Sequence, residues 1–212
     1  MPIFDRSEHV YVCEDLEEII KDTLRFFHGT PVHKLPLEDS FTGVGVYAIY
    51  YVGKAEIYKK FHTINRTAYN LPIYVRKTSP KGWRQGRSAP SAQDKGAELY
   101  KRLKEHSKSI DLGSGINLVD FHCRLMILEG RSVDLIGMIE VALIREHQPL
   151  WNSVLDGFGN HDPGKGRYEQ AKSDWDVCHK GRAWADKCKG QAASLKEVKQ
   201  LISNYLKTDH TS

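Results

Sequence analysis

The sequence lacks any run of about 18 apolar residues, which excludes a transmembrane helix. Its first ten residues already carry Asp5, Arg6 and Glu8, which argues against a secretory leader. Cysteine is scarce: Cys13, Cys123, Cys178 and Cys188 are far apart, and none makes a CxxC spacing. A disulfide framework and a zinc knuckle are thereby excluded as organising devices, and four reduced interior thiols in a cytoplasmic protein are expected. There is no internal repeat and no second domain boundary. What remains is an ordinary globular composition of 212 residues, 40% hydrophobic and 27% charged, enough to bury one sizeable core.

The net charge of +4 hides a steep gradient. Residues 1–40 hold nine acids against four bases, whereas residues 76–104 hold nine bases against only Asp94 and Glu98. Such a stretch is large enough to meet a polyanion, although a solvated surface explains charge alone equally well.

Periodicity predicts an acidic amphipathic helix over Cys13–Phe27, where Leu16, Ile19, Ile20, Leu24 and Phe27 recur at three- and four-residue steps. A linker around Pro31–Pro36 follows. Val44–Val52, apolar on both faces and opened by Gly43 and Gly45, suits a central strand. Lys54–His62 reads as a helix, Leu71–Lys77 as a second strand and Thr78–Ala92 as a loop. Asp94 is placed to cap a helix running to about Ser107, and Leu118–Leu128 reads as a third strand. Ser132 or Asp134 should cap a helix ending before Pro149, with a Gly-rich loop at Gly157–Arg167 and a terminal helix near Ser194–Leu206.

Within the fourth predicted helix, Glu140 has Ile136, Gly137, Leu143 and Ile144 as its helical neighbours, so a carboxylate sits in an apolar face. An ionised carboxylate there costs several kcal/mol unless it meets a metal, an arginine or a proton, and a structural ion pair is the plainer of these solutions. On the preceding helix His106 lies in the stripe of Leu99, Leu103 and Ile110, flanked by Arg102 one turn earlier. Histidine alone in a core stripe is ordinary packing; with an arginine beside it, it becomes a candidate for handling phosphate. Gly45-Val46-Tyr47 puts Tyr47 on the strand face shared by Gly45, Ile49 and Tyr51, and Tyr74 sits in Ile73-Tyr74-Val75 on the second strand.

Taken in order, Gly-Val-Tyr, Ile-Tyr-Val, Arg102-x-x-x-His106, Glu140 and the stop Pro149-x-x-Asn152 resemble the GIY-YIG nuclease family. Within it the chain is similar to type II restriction endonucleases, because the tail Gly157–Arg167 followed by Trp175, His179 and Arg182 matches the subgroup that cuts CCGCGG. Two departures stand out: Arg76 occupies the position where a glycine follows Ile-Tyr-Val, and the insert 54–71 replaces a short hairpin. Tyr51-Val52-Gly53 imitates the second motif but shares a strand with Tyr47, so Tyr74 is assigned to it.

The resemblance implies that Tyr47 activates or positions the attacking water and that Tyr74 helps hold the scissile phosphate. Arg102 would stabilise the transition state, and His106 would orient Tyr47 or relay its proton. Glu140 would hold one magnesium ion, with manganese as a substitute, and Asn152 would brace Glu140 or the phosphate. The substrate would be double-stranded DNA, cut by a homodimer on a palindromic site, with no nucleotide cofactor and no membrane. Arg76, Lys77, Lys81, Trp83, Arg84 and Arg87, with Asn160, Lys165 and Arg167, are the candidates for DNA contact.

The expected fold is α/β of the α+β kind: a small antiparallel three-stranded sheet flanked by helices over residues 43–155. An acidic helical arm at 1–42 precedes it and an extension at 156–212 follows, all in one unit. Competing motifs are weaker. Glu197-Val198-Lys199 imitates an E-x-K nuclease motif but falls in a helical pattern; Gly159–Gly166 imitates a phosphate loop without its Ser/Thr; Asn160-His161 alone is too little for a histidine-metal nuclease. A homing or repair nuclease of the same family, or a non-catalytic DNA-binding module, is the alternative function.

Overall fold

Val44–Tyr51, the segment apolar on both faces, is an inner strand of the sheet and is buried along almost its whole length. The computed structural model describes residues 4–80, 82 and 96–207. In chain order its elements are α1 (Leu16–Gly29), β1 (Val32–Lys34), β2 (Val44–Tyr51), α2 (Lys59–Asn65), β3 (Tyr74–Thr78), α3 (Glu98–Leu112), β4 (Phe121–Leu128), α4 (Ile136–His147), α5 (Leu150–Ser153), α6 (Asp174–Cys178) and α7 (Leu195–Lys207).

The sheet is antiparallel and four-stranded, in the order β1-β4-β2-β3. The sequence pointed to three strands. The fourth, β1, falls in the stretch read as a linker, where three residues pair Val32 with Arg124 and Lys34 with His122. Gly45 is required at its place: a Cβ there would lie 2.0 Å from the Met126 carbonyl oxygen, so only glycine lets β4 come this close to β2.

Alternation along β2 divides the core. Val46, Ala48 and Tyr50 face Phe27 of α1 and Ile136, Ile139 and Leu143 of α4. Tyr47, Ile49 and Tyr51 face Leu99, Leu103 and Ile110 of α3, and the same cluster continues through Trp151, Phe158 and Trp175 to Val198 and Ile202 of α7. The C-terminal extension thus completes the core under the sheet.

Helix limits shift in explicable ways. Asp94 lies outside the described residues, and α3 runs past Ser107 to Leu112 because Ile110 extends its apolar stripe. Neither Ser132 nor Asp134 caps α4, which grows instead out of a 3-10 turn over Gly130–Leu135. The insert holds a 3-10 turn and α2. Its ends are tied by Asn65, whose amide donates to the carbonyls of Tyr51 (3.1 Å) and Leu71 (2.9 Å) and accepts from the Leu71 N–H (3.0 Å). At α7, Ser194 and Glu197 cap each other: the Ser194 N–H donates to the glutamate at 2.7 Å and the Glu197 N–H to the serine hydroxyl at 3.2 Å. Glu197 is therefore a helix-start residue. Of the four free thiols only Cys123 is fully buried, the others being partly exposed. Among the described residues no helix is long and apolar enough to cross a membrane.

His179 illustrates how the extension is locked down. Its Nε2 lies 2.6 Å from the Tyr58 hydroxyl, its Nδ1 3.0 Å from the Ser114 carbonyl oxygen, and the Trp151 indole N–H donates to Tyr58 at 3.1 Å. Burial pushes the imidazole down to a pKa of about 4. As pH falls below about 6.5, the unfolded chain takes up a proton that the folded imidazole refuses, so stability is present at neutral pH and drains away until about pH 4. Between pH 7.5 and pH 5 this group alone should remove about 2 kcal/mol. Urea unfolding should show His179→Asn less stable than the parent at pH 7.5 yet losing about 2 kcal/mol less on acidification; equal acid losses would mean that other groups govern the effect.

Candidate active site

Edge strand β3 carries the site, with one half on each face of the sheet. In the β2–β3 ladder Tyr47 stands opposite Arg76 and Ile49 opposite Tyr74. Tyr47 and Tyr74 thus share the α3 face, with ring centroids 6.5 Å apart. His106 comes down from α3 between them. Its Nε2 lies 2.6 Å from the Tyr47 hydroxyl, and its ring is edge-on to Tyr74 and stacked on Phe158 at 4.7 Å.

Both members of the Tyr47–His106 pair are held neutral. Burial, reinforced by the neighbouring Tyr74 phenol, raises Tyr47 well above the ordinary tyrosine range. Burial first, and then the Arg102 charge, push His106 well below the ordinary histidine range. A neutral phenol against a neutral imidazole gives a hydrogen bond with the proton on oxygen when Nδ1 carries the ring hydrogen.

Arg102 is anchored at the rim. Its guanidinium donates to the Gly159 carbonyl (2.8 Å) and to Glu105 (2.8 Å) and also contacts His161. Gly159 has no room for a side chain, since a Cβ would sit 2.6 Å from the Tyr74 hydroxyl and 3.3 Å from Arg102 Nη2. The backbone of the Gly157–Asn160 loop therefore forms one wall of the site.

That wall is built by Arg182, a residue the sequence offered only as part of a matching tail. Its guanidinium donates to the carbonyls of Gly157 (2.9 Å), Phe158 (2.9 Å) and Asn160 (3.2 Å). Two further bonds, at 2.6 and 2.7 Å, pair it with Asp176, and both side chains are almost completely buried. Asp176 neutralises the charge, and the three remaining donors clamp the short loop from Gly157 to Asn160. The signal was invisible locally because the acceptors are main-chain carbonyls more than twenty residues away.

On the other face of the sheet, Glu140 is buried among the apolar residues of α4, as its neighbours indicated. Its cations come from β3: Lys77 Nζ lies 2.5 Å from Oε2, and an Arg76 nitrogen lies 3.7 Å from Oε1. Lys77, read as a DNA-contact candidate, is thus engaged with Glu140, whereas Arg76 remains half exposed at the strand edge. Glu140 Oε1 is buried and accepts no hydrogen bond. A carboxylate oxygen in that condition is a donor suited to a hard divalent cation, for which the Lys77 ammonium on Oε2 is the competing charge.

Asn152 is paired with main chain and not with Glu140. Its side chain accepts from the Val75 N–H and donates to the Val75 carbonyl, both at 2.8 Å, while the Trp151 N–H donates to the Ile73 carbonyl at 2.9 Å. Together they occupy the outer hydrogen-bonding edge of β3 and fix the residue between Tyr74 and Arg76. Asn152→Asp keeps an acceptor for the amide but strips the carbonyl of its donor. We expect it to lose about 1–3 kcal/mol of stability and to speed hydrogen exchange at the Val75 amide. Unchanged exchange there would refute the clamp.

Asn160, His161, Lys165 and Arg167 are exposed on the loop that closes over Arg102. Lys81, Trp83, Arg84 and Arg87 lie outside the described residues. The structure thus brings Tyr47, Tyr74, Arg102 and His106 together on one side of β3 and Arg76, Lys77 and Glu140 along its edge.

A family profile described as the Eco29kI GIY-YIG domain matches residues 39–206. No curated protein matches the chain.

Proposed function

Since the chain belongs to the Eco29kI GIY-YIG family of restriction-type nucleases, we propose that it is a type II restriction endonuclease that hydrolyses both strands of DNA at a GC-rich palindrome such as CCGCGG. The observation that carries the catalytic reading is the Tyr47–His106 contact of 2.6 Å, buried beside a fixed arginine. A packing pair needs no cation at its mouth: Tyr58 and His179 make the same 2.6 Å contact as a structural lock, and the arginine beside Tyr47 and His106 is what sets this pair apart.

In this reading water at the scissile phosphate gives its proton to the Tyr47 oxygen as Tyr47 passes its own to His106 Nε2. The neutral, depressed histidine is the final acceptor within the protein, and Tyr47 is the relay. Tyr74 holds a non-bridging phosphate oxygen, and Arg102, immobilised by Gly159 and Glu105, meets the charge that grows in the transition state. Glu140 Oε1 is the group that would hold magnesium, or manganese in its place, and when bound such a cation neutralises the phosphate and the departing 3′ oxygen. A palindrome presents two equivalent strands to one centre per chain, so the acting species is a two-fold homodimer.

Incubation with supercoiled plasmid tests this reading. Discrete bands that require a divalent metal support it, and a mobility shift without cleavage at any metal concentration would leave only a DNA binder. For affinity, Lys165→Ala combined with Arg167→Ala should make the salt dependence of binding shallower by about 1.8 in log–log slope, if each residue meets one phosphate. Superimposable salt titrations would show that this loop does not touch the backbone.

A further inference from the structure

Where the C-terminal ends of α1 and α4 meet, three side chains converge. His28 stands in the last turn of α1, and Glu146 and His147 are at the end of α4. Glu146 Oε1 is 3.3 Å from His28 Nε2 and 3.6 Å from His147 Nε2. The two imidazoles are edge to face at 85°, with centroids 5.2 Å apart. Both Nε2 atoms are buried from solvent, and neither makes a hydrogen bond. Two imidazole nitrogens and a carboxylate oxygen thus lie within 4.8 Å of one another.

From this arrangement we propose that His28, Glu146 and His147 form a second metal site, for a divalent transition ion of the zinc class, that staples α1 to α4. Tetrahedral coordination at about 2.0–2.1 Å separates neighbouring ligand atoms by about 3.4 Å, close to the two glutamate–histidine spacings of 3.3 and 3.6 Å, and the three ligand atoms all lie within 4.8 Å of one another. The donor set sorts the metal. Two imidazoles and one carboxylate suit zinc, cobalt, nickel or copper, whereas magnesium and calcium need more oxygens than the site offers. Both helices end here, and the negative ends of their dipoles favour a cation. Arg124 is the opposing charge; its guanidinium donates to the His28 carbonyl and lies 5.9 Å from the Tyr50 ring. With three protein ligands, solvent takes the remaining position.

Neither the family membership nor the nuclease mechanism requires this site, and its test is separate from theirs. Full-length protein stripped with a chelator is titrated with Co²⁺, followed by visible ligand-field absorption, and with Zn²⁺ in competition with a chromophoric chelator. One equivalent should bind, and zinc at a hundredfold excess over its Kd should raise Tm by about 5–10 °C. His28→Ala and Glu146→Gln, at partly exposed positions, should each weaken binding at least tenfold and abolish the Tm shift, while Glu140→Gln leaves both intact. His28→Gln serves as a second variant should His28→Ala unfold. Failure of the parent to take up Co²⁺ or Zn²⁺, or equal affinity in His28→Ala and Glu146→Gln, would overturn the proposal.

Discussion

Replacing Glu140 with glutamine is expected to lower the cleavage rate by about a thousandfold while specific DNA binding in calcium survives. Losing the group that holds a catalytic cation removes several kcal/mol of transition-state stabilisation, and each 1.36 kcal/mol is a factor of ten. The change keeps the side-chain volume and the apolar packing of α4. It also removes a negative charge beside the basic strand β3, so DNA affinity should hold or tighten. The plainer explanation of the buried carboxylate is its pairing with Lys77, and the two explanations separate experimentally. Lys77 is partly exposed, and water can take over its ammonium in the variant. If Glu140 serves only that pair, Lys77→Met should destabilise the protein at least as much as Glu140→Gln does, and cleavage should fall in proportion to folded protein. The metal-holding role instead leaves Glu140→Gln folded and inactive, with added magnesium giving no recovery.

Glu140 and His106 were legible in the sequence because helical periodicity exposes a polar residue in an apolar stripe, whatever the rest of the fold does. Tyr74 could be separated from its imitator Tyr51 because a hairpin partner must lie beyond a turn; in the structure the Tyr51 hydroxyl merely accepts from the Ala55 N–H at 2.9 Å. Features set by distant main chain were not legible. β1 is three residues long and exists only because β4, some ninety residues onward, offers it an edge. Asn152 looks like a polar residue free to reach a phosphate until its amide is found paired with Val75 on both sides. Lys77 read as one more charge in a basic stretch, since alternation along β3, which sends it to the α4 face, depends on register. Arg182 escaped because its acceptors are loop carbonyls, to which composition and spacing are blind.

Tyr47→Phe is expected to slow single-turnover cleavage at least about a hundredfold with DNA affinity nearly unchanged, the usual size of a proton-transfer contribution. Only one oxygen is lost from a packed ring, so Tyr74, Phe158 and His106 keep their contacts. A tyrosinate base would need a pKa brought down toward neutrality, but burial moves Tyr47 the other way. The phenol can therefore act only if it releases its proton as it receives another, which makes the 2.6 Å bond to His106 the route. The pH profile follows from the same geometry. Because His106 must be neutral and its pKa is pushed well below 6.5, the rising limb of the rate should lie below that value, with a plateau through neutral pH. His106→Ala should cost less than Tyr47→Phe, since solvent can accept the proton in its place, but should move that limb. Single-turnover rates from about pH 5.5 to about pH 9 for the parent and both variants decide the matter. A Tyr47→Phe protein with the parental rate and profile would make Tyr47 a packing residue and His106 the direct acceptor of the water proton.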